Sequence, residues 1–158
     1  MNNKKKLIIL IGTMTGNAEL VADDIVDYCS KENIETKIYE MNNIKPEEIK
    51  NFVDPILICT STYGQGDVPD NAKAFYNFLN KKKPNLNNIK YTIFGLGDKT
   101  YKETFSLVEK DLIKYSLHWE LKELVNHFFM MLHLVHFQKK MVLNGLKIIY
   151  KIFYRMNI

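Results

Sequence analysis

The sequence predicts an α/β fold: a doubly wound parallel sheet with helices on both faces. Along the first two thirds of the chain, short apolar runs alternate with segments whose apolar residues recur at helical spacing. Repeated strand and helix order is typical of parallel strands joined by crossover helices. With 158 residues, of which 46% are hydrophobic and 25% charged, the chain can bury one core, so we expect a single domain over residues 1–158.

Two strands and two helices are predicted from the first third of the chain. Residues 6–11 form a short, bounded apolar run typical of a buried strand, and residues 34–40 alternate weakly as a second strand. Residues 45–51, with Pro46 at an early helical position, predict a short helix. A longer helix between the strands is predicted from apolar residues at helical spacing: Ala18, Leu20, Val21, Ile25, Val26 and Cys29.

The middle of the chain predicts two more strands and one helix. Residues 55–60, PILICT, are a third apolar strand, and residues 90–94 are a fourth. Asp70 or Asn71 can cap the helix between them, because both side chains carry an oxygen that accepts from free backbone N–H groups. The apolar side of that helix is predicted to consist of Ala74, Phe75, Phe78 and Leu79.

In a doubly wound sheet, ligands bind beyond the carboxyl ends of the strands. The loops there follow strands one, three and four, and they read GTMTGNAE, STYGQGDVPDN and GLGDKTYKETF. In the first, Thr13 and Thr15 offer hydroxyl donors, Gly16 allows close backbone approach, and the amides from Asn17 onward open a helix whose positive end favours an anion. The loop lacks the lysine of triphosphate-binding loops, but a monophosphate can be held in this way without a cation.

The other two loops carry aromatic side chains suited to a flat ligand. Tyr63 precedes Gly64, which can reorient its peptide at low steric cost. Asp98 can accept a hydrogen bond from a polar ring edge, and Tyr101 offers a second aromatic face. Two tyrosines on adjacent loops at one edge fit a planar ring between them.

These three segments resemble the FMN-binding loops of flavodoxin-like proteins, in particular short MioC-like flavodoxins and the FMN domains of sulfite reductase and cytochrome P450 reductase. The resemblance covers residues 6–105 and implies a sheet of order 2-1-3-4-5. It does not extend to the residues that would form the last strand and helix. It also implies that the peptide after Gly64 turns its carbonyl toward the reduced flavin N5 and stabilises the one-electron-reduced cofactor. The FMN contacts it implies are Thr13, Met14, Thr15, Gly16, Asn17 and Ala18 for the phosphate, Ser61, Thr62, Tyr63 and Gly64 for one ring side, and Leu96, Gly97, Asp98, Lys99, Thr100, Tyr101 and Phe105 for the other.

The function we expect is that of a one-electron carrier rather than an enzyme, a monomer or weak homodimer. The resemblance implies electron supply by an NADPH-dependent flavodoxin reductase and delivery to an acceptor oxidoreductase, with biotin synthase as a candidate. The alternatives are an FMN-dependent reductase, or a degraded gene product with impaired flavin binding. A receiver-like signalling domain would need a magnesium-binding acidic cluster after the first strand, where this chain has threonines.

Several other classes are disfavoured by composition. Cys29 and Cys59 lack metal-binding or redox-motif spacing, so we expect reduced thiols and no metal site. The apolar run after the N-terminal lysines ends at Gly12, too short for a signal peptide, and later apolar runs are too short to cross a bilayer. Nucleic-acid binding lacks a patterned basic face. We therefore expect a cytoplasmic protein.

Composition changes after Phe105. Up to that residue Lys and Arg balance Asp and Glu, fourteen against fourteen, whereas residues 106–158 carry eight against four and all four histidines. The family motifs resembling GGKxFDxxLxxLGA and HDASSG are missing from this tail. A permitted choice of synonymous codons for the tail would, however, encode both motifs when read in a shifted frame. The sequence thus predicts a frameshifted tail. Three shifted codons do not depend on any synonymous choice. They encode glycine across Trp119–Glu120, aspartate across Met130–Met131 and glycine across Met141–Val142.

Overall fold

The computed structural model describes residues 4–63, 67–86 and 89–96. Strands and helices alternate, as the apolar pattern predicts. The strands are β1 (Lys6–Gly12), β2 (Glu35–Glu40), β3 (Ile56–Ser61) and β4 (Tyr91–Leu96), and the α-helices are α1 (Asn17–Lys31) and α2 (Lys73–Lys82). Short 3-10 helices cover Met41–Asn43, Pro46–Asn51 and Asp70–Ala72.

The four strands form one parallel sheet of order β2-β1-β3-β4. The predicted α/β class and the first four positions of the predicted order are therefore confirmed. Leu10 lies beside Ile58, and Ile58 lies beside Ile93, so apolar side chains run across the sheet in register. The predicted fifth strand and closing helix fall outside the described residues.

Alternate residues of β1 face two separate apolar layers, because successive side chains of a strand point to opposite faces. Ile9 and Ile11 pack with Val21 and Ile25 of α1 on one face. On the other face, Ile8 and Leu10 pack in a layer that includes Phe75 and Leu79 of α2. Burial on both faces explains why β1 and β3 read as continuous apolar runs.

Several predictions about the helices are wrong in detail. Leu20 is 61% exposed, because it lies on the solvent side of α1, and Ala74 is exposed on α2. Residues 46–51 form a 3-10 helix. Neither Asp70 nor Asn71 caps α2: they lie in a 3-10 turn that leads into it, and Ala72, without a capping side chain, precedes Lys73. The described helices are all too short or too polar to span a bilayer.

Candidate functional site

Three strands end at the same edge of the sheet. Gly12, Ser61 and Leu96 are the last residues of β1, β3 and β4. Gly12 lies beside Thr60, and Ser61 lies beside Leu96. Because the strands are parallel neighbours, the loops that follow them begin close together, as the sequence predicts.

The loop between β1 and α1 folds around the Thr13 hydroxyl. Thr13 is only 8% exposed, and its Oγ1 accepts the N–H of Gly16 at 3.1 Å. This leaves the hydroxyl hydrogen of Thr13 able to donate to a ligand. Gly16 has a φ of 79°, in the left-handed region that favours glycine, and this turn directs the chain into α1. Met14 and Thr15, which lie between Thr13 and Gly16, are exposed.

The N-terminus of α1 supplies the second part of this loop. Helix α1 begins at Asn17, and the first N–H groups of an α-helix have no partner within the helix. Ala18 is fully buried, and its side chain packs in the apolar layer between α1 and the sheet. Its carbonyl accepts the thiol of Cys59 at 3.4 Å, which ties the first turn of α1 to β3. Burial raises the pKa of Cys59 and keeps it a neutral thiol donor.

The loops after β3 and β4 are joined by backbone hydrogen bonds. The N–H of Thr62 donates to the Leu96 carbonyl at 3.0 Å. Tyr63 and Asp67 exchange two backbone hydrogen bonds of 3.2 and 2.8 Å, which fixes the ends of the loop between them. Ser61 is buried at the end of β3, and Leu96 packs its side chain in the α1-facing core.

One cation lies close to the predicted ring-binding loop. The Lys73 ammonium forms an ion pair with the Asp70 carboxylate and lies beside the Tyr63 phenol. The hydrogen bond to Asp70, its negative charge and the Tyr63 hydroxyl raise the pKa of Lys73. Lys73 therefore keeps its positive charge next to Tyr63 across the neutral range.

The sequence does not reveal how two residues shape the first loop. The side-chain Oδ1 of Asn71 accepts the Thr13 N–H at 2.9 Å, across 58 residues of sequence. Gly12 lies so close to β3 that a Cβ there would be 2.8 Å from Thr60 Oγ1. Contacts between residues so far apart in the sequence, such as Thr13 with Asn71 and Gly12 with Thr60, leave no pattern in the neighbouring residues from which they could be predicted.

The predicted site residues are only partly covered by the structure. Those before residue 64, together with Leu96, lie along one edge of the sheet. Among the described ranges, no group of three His, Cys, Asp or Glu side chains could hold a metal ion. The remaining predicted contacts lie outside the described residues: Gly64, Gly97, Asp98, Lys99, Thr100, Tyr101 and Phe105.

The first loop has the chemistry of a monophosphate cradle. It combines the hydroxyls of Thr13 and Thr15, a left-handed glycine and the N-terminus of a 15-residue helix. Backbone and hydroxyl donors at a helix N-terminus hold an anion without a lysine. The residues present therefore fit the phosphate end of FMN.

The flavodoxin family model matches residues 9–115. The chain belongs to the flavodoxin family. This flavodoxin is 37% identical over 113 residues to the sulfite reductase [NADPH] flavoprotein alpha-component of Buchnera aphidicola, covering 71% of this chain and 18% of that protein. It is 37% identical over 100 residues to NADPH-dependent diflavin oxidoreductase 1 of Yarrowia lipolytica, covering 61% and 14%. The flavodoxin thus spans less than a fifth of the length of these relatives.

Solved flavodoxins share its fold. A short-chain flavodoxin associated with a non-canonical PDU bacterial microcompartment superposes with a TM-score of 0.69 at 19% identity, covering 94% of this chain and 98% of the other. Flavodoxin 1 of Bacillus cereus gives a TM-score of 0.67 at 19% identity, covering 98% and 99%. FMN is the cofactor of this family, and electron transport is its kind of function. The cofactor and family predicted from the loops are thereby confirmed.

Proposed function

We propose that this flavodoxin carries single electrons from an NADPH-dependent reductase to an acceptor oxidoreductase, and that it is not itself an enzyme. The observation that carries the proposal is the Thr13–Gly16 turn, which leads directly into the N-terminus of α1. Relatives named as NADPH-dependent flavoproteins support a reductase as the electron source. Biotin synthase is the acceptor that the MioC-like resemblance suggests.

The residues of the cradle would hold FMN by its phosphate. Thr13 and Thr15 would donate their hydroxyl hydrogens, while the amides of Asn17 and Ala18 would direct the helix dipole at the negative charge. Tyr63 would cover one face of the ring, because it is half-buried at the start of the neighbouring loop. FMN, when bound, supplies the one-electron chemistry, and these side chains orient it.

The remaining predicted contacts extend the same proposal. Met14 and Gly16 are proposed to belong to the phosphate site. The ring site is proposed to be completed by Ser61, Thr62, Gly64, Leu96, Gly97, Asp98, Lys99, Thr100, Tyr101 and Phe105. The protein is proposed to act in the cytoplasm as a monomer or weak homodimer.

Flavin binding tests the proposal directly. The full chain, titrated into FMN, should quench the flavin fluorescence and give a yellow protein after dialysis. FAD should bind more weakly, because its additional nucleotide extends beyond a site built for a terminal phosphate. Retention of FMN no better than that of an unrelated control protein would overturn the proposal. Affinity capture from the native cell extract, followed by tests of biotin synthase, would then identify the acceptor.

We also propose that residues 106–158 are a frameshifted version of an ordinary flavodoxin end. The family-model match ends at residue 115, early in this tail. Residues not patterned for a closing strand and helix would cover the sheet poorly, which would weaken both folding and FMN affinity. Sequencing the gene tests this: the proposal fails if the shifted frame after Phe105 does not encode GGK-, LGA- and HDASSG-like motifs in order.

A further inference from the structure

We infer that Asn71 is a positioning residue for the phosphate loop and that it makes this flavodoxin favour phosphorylated flavin. The inference rests on the proposed function. Asn71 lies in the 3-10 turn before α2, while Thr13 lies at the end of β1. Their hydrogen bond joins a side chain from one crossover to the backbone of another.

The Asn71 bond determines which donors of the first loop remain for a ligand. Its Oδ1 takes the Thr13 N–H at 2.9 Å, and Thr13 Oγ1 takes the Gly16 N–H at 3.1 Å. Two of the backbone N–H groups of the loop are therefore used inside the protein. The Thr13 hydroxyl hydrogen and the free N–H groups at the start of α1 remain available.

A second contact brings the same two segments together. The N–H of Asp70 donates to the thioether sulfur of Met14 at 3.3 Å. Met14 and Thr13 are thus both held by the residues that precede α2. Since Thr13 is almost fully buried, its N–H would lose its partner without gaining full hydration if the Asn71 oxygen were removed.

The physical effect is preorganisation. A loop whose Thr13 is fixed from two sides already has its hydroxyl aligned before the ligand arrives, so less conformational freedom is lost on binding. Only the phosphate end of the ligand benefits, because the flavin ring lies against the other loops in the proposed function. The Asn71 bond should therefore strengthen FMN binding much more than riboflavin binding.

The first experiment detects the hydrogen bond without any flavin. Amide hydrogen exchange of Thr13 is measured by NMR in the full chain and in three variants: Asn71→Ala, Asn71→Asp and Asn77→Ala. Asn71→Ala should speed exchange of the Thr13 amide by about tenfold or more, because a protecting acceptor is lost. Asn71→Asp keeps an acceptor oxygen and should retain protection. Asn77→Ala is the matched control, since Asn77 is exposed on α2.

The second experiment separates phosphate recognition from general stability. Dissociation constants for FMN and riboflavin are measured by fluorescence quenching for wild type, Asn71→Ala and Asn77→Ala. Asn71→Ala should weaken FMN binding by about tenfold while riboflavin binding changes by no more than about twofold. The ratio of the two constants is the readout, because a variant that is only less stable loses both ligands together.

The outcomes distinguish this inference from the proposed function. If the wild-type protein binds neither flavin, the proposed function fails. Separately, if the Thr13 amide exchanges equally fast in the wild type and in Asn71→Ala, the hydrogen bond is not present and the inference is wrong. If wild type binds FMN but Asn71→Ala weakens FMN and riboflavin equally, Asn71 is a packing residue and the inference is wrong. Faster Thr13 exchange together with selective loss of FMN supports it.

Discussion

Gly12 and Thr60 face each other across β1 and β3 with no room for another heavy atom. A Cβ on residue 12 would lie 2.8 Å from Thr60 Oγ1 and 2.9 Å from the Cβ of Ala72. Both neighbours are buried, at 1% and 4% exposure, so neither can move aside freely. The end of β1 is therefore packed as tightly as a protein core at the edge where the proposed FMN site begins.

Gly12→Ala should lower the free energy of unfolding by about 1–3 kcal/mol, because overpacking a buried contact forces its neighbours to shift. Urea denaturation of the apo-protein measures the change. Thr60→Ala in the same background should recover part of it by removing Oγ1, whereas Ala74→Ser on the exposed face of α2 should have little effect. An alanine at residue 12 that left the urea midpoint unchanged would contradict this packing.

Cys29 should react slowly with alkylating reagents. Burial, assisted by the nearby charge of Glu32, raises its pKa from 9.0 to about 11. At pH 8 the reactive thiolate is then roughly a hundredfold rarer than in an unfolded chain. Mass spectrometry after iodoacetamide treatment should show modification that accelerates with pH. Glu32→Gln should speed the reaction, and Glu47→Gln should not.

The same shift predicts a loss of stability in alkali. The pKa of Cys29 is higher in the folded state, so the unfolded thiol releases its proton first. Stability from this group is complete below about pH 9 and is lost as the pH rises through about 11. Cys29→Ser should flatten that part of the stability curve. An equally steep decline in the variant would assign it to other groups.

The Lys73 charge beside Tyr63 should raise the potential of bound FMN. Lys73→Gln removes a cation near the proposed ring site, which makes adding an electron less favourable. Potentiometric titration should give lower midpoint potentials, by roughly tens of millivolts at low salt and less at high salt. Lys82→Gln, at the far end of α2, is the matched control. Equal shifts for both lysines would mean that only net charge matters.

Restoring the family-like frame after Phe105 should improve the protein. The restored strand and helix would cover the sheet with patterned apolar residues, so the soluble yield, the melting temperature and the fraction of FMN kept after dialysis should all rise. A control chain that carries a scrambled version of the restored tail tests whether the pattern matters. No gain over that control would argue against the frameshift.

The sequence predicts the elements whose physics is local. Continuous apolar runs located β1 and β3 to within a residue at either end, and helical spacing located α1. The prediction that Leu20 lies on the apolar side of α1 was wrong, because single apolar residues also occur on the exposed surface of helices. The role of Asn71 was misjudged for another reason: a capping residue and a long-range acceptor have the same chemistry, and only the tertiary fold decides between them.

The Thr13–Asn71 hydrogen bond also has a kinetic consequence. Because it joins residues 58 apart, it can form only after a long stretch of chain has closed on itself, and such closures come late in folding. A nascent chain that has made β1 and α1 but not the turn before α2 would have an unfixed phosphate loop. A cofactor that binds through this loop would then bind only the folded protein, so it would lower the unfolding rate and leave the folding rate unchanged.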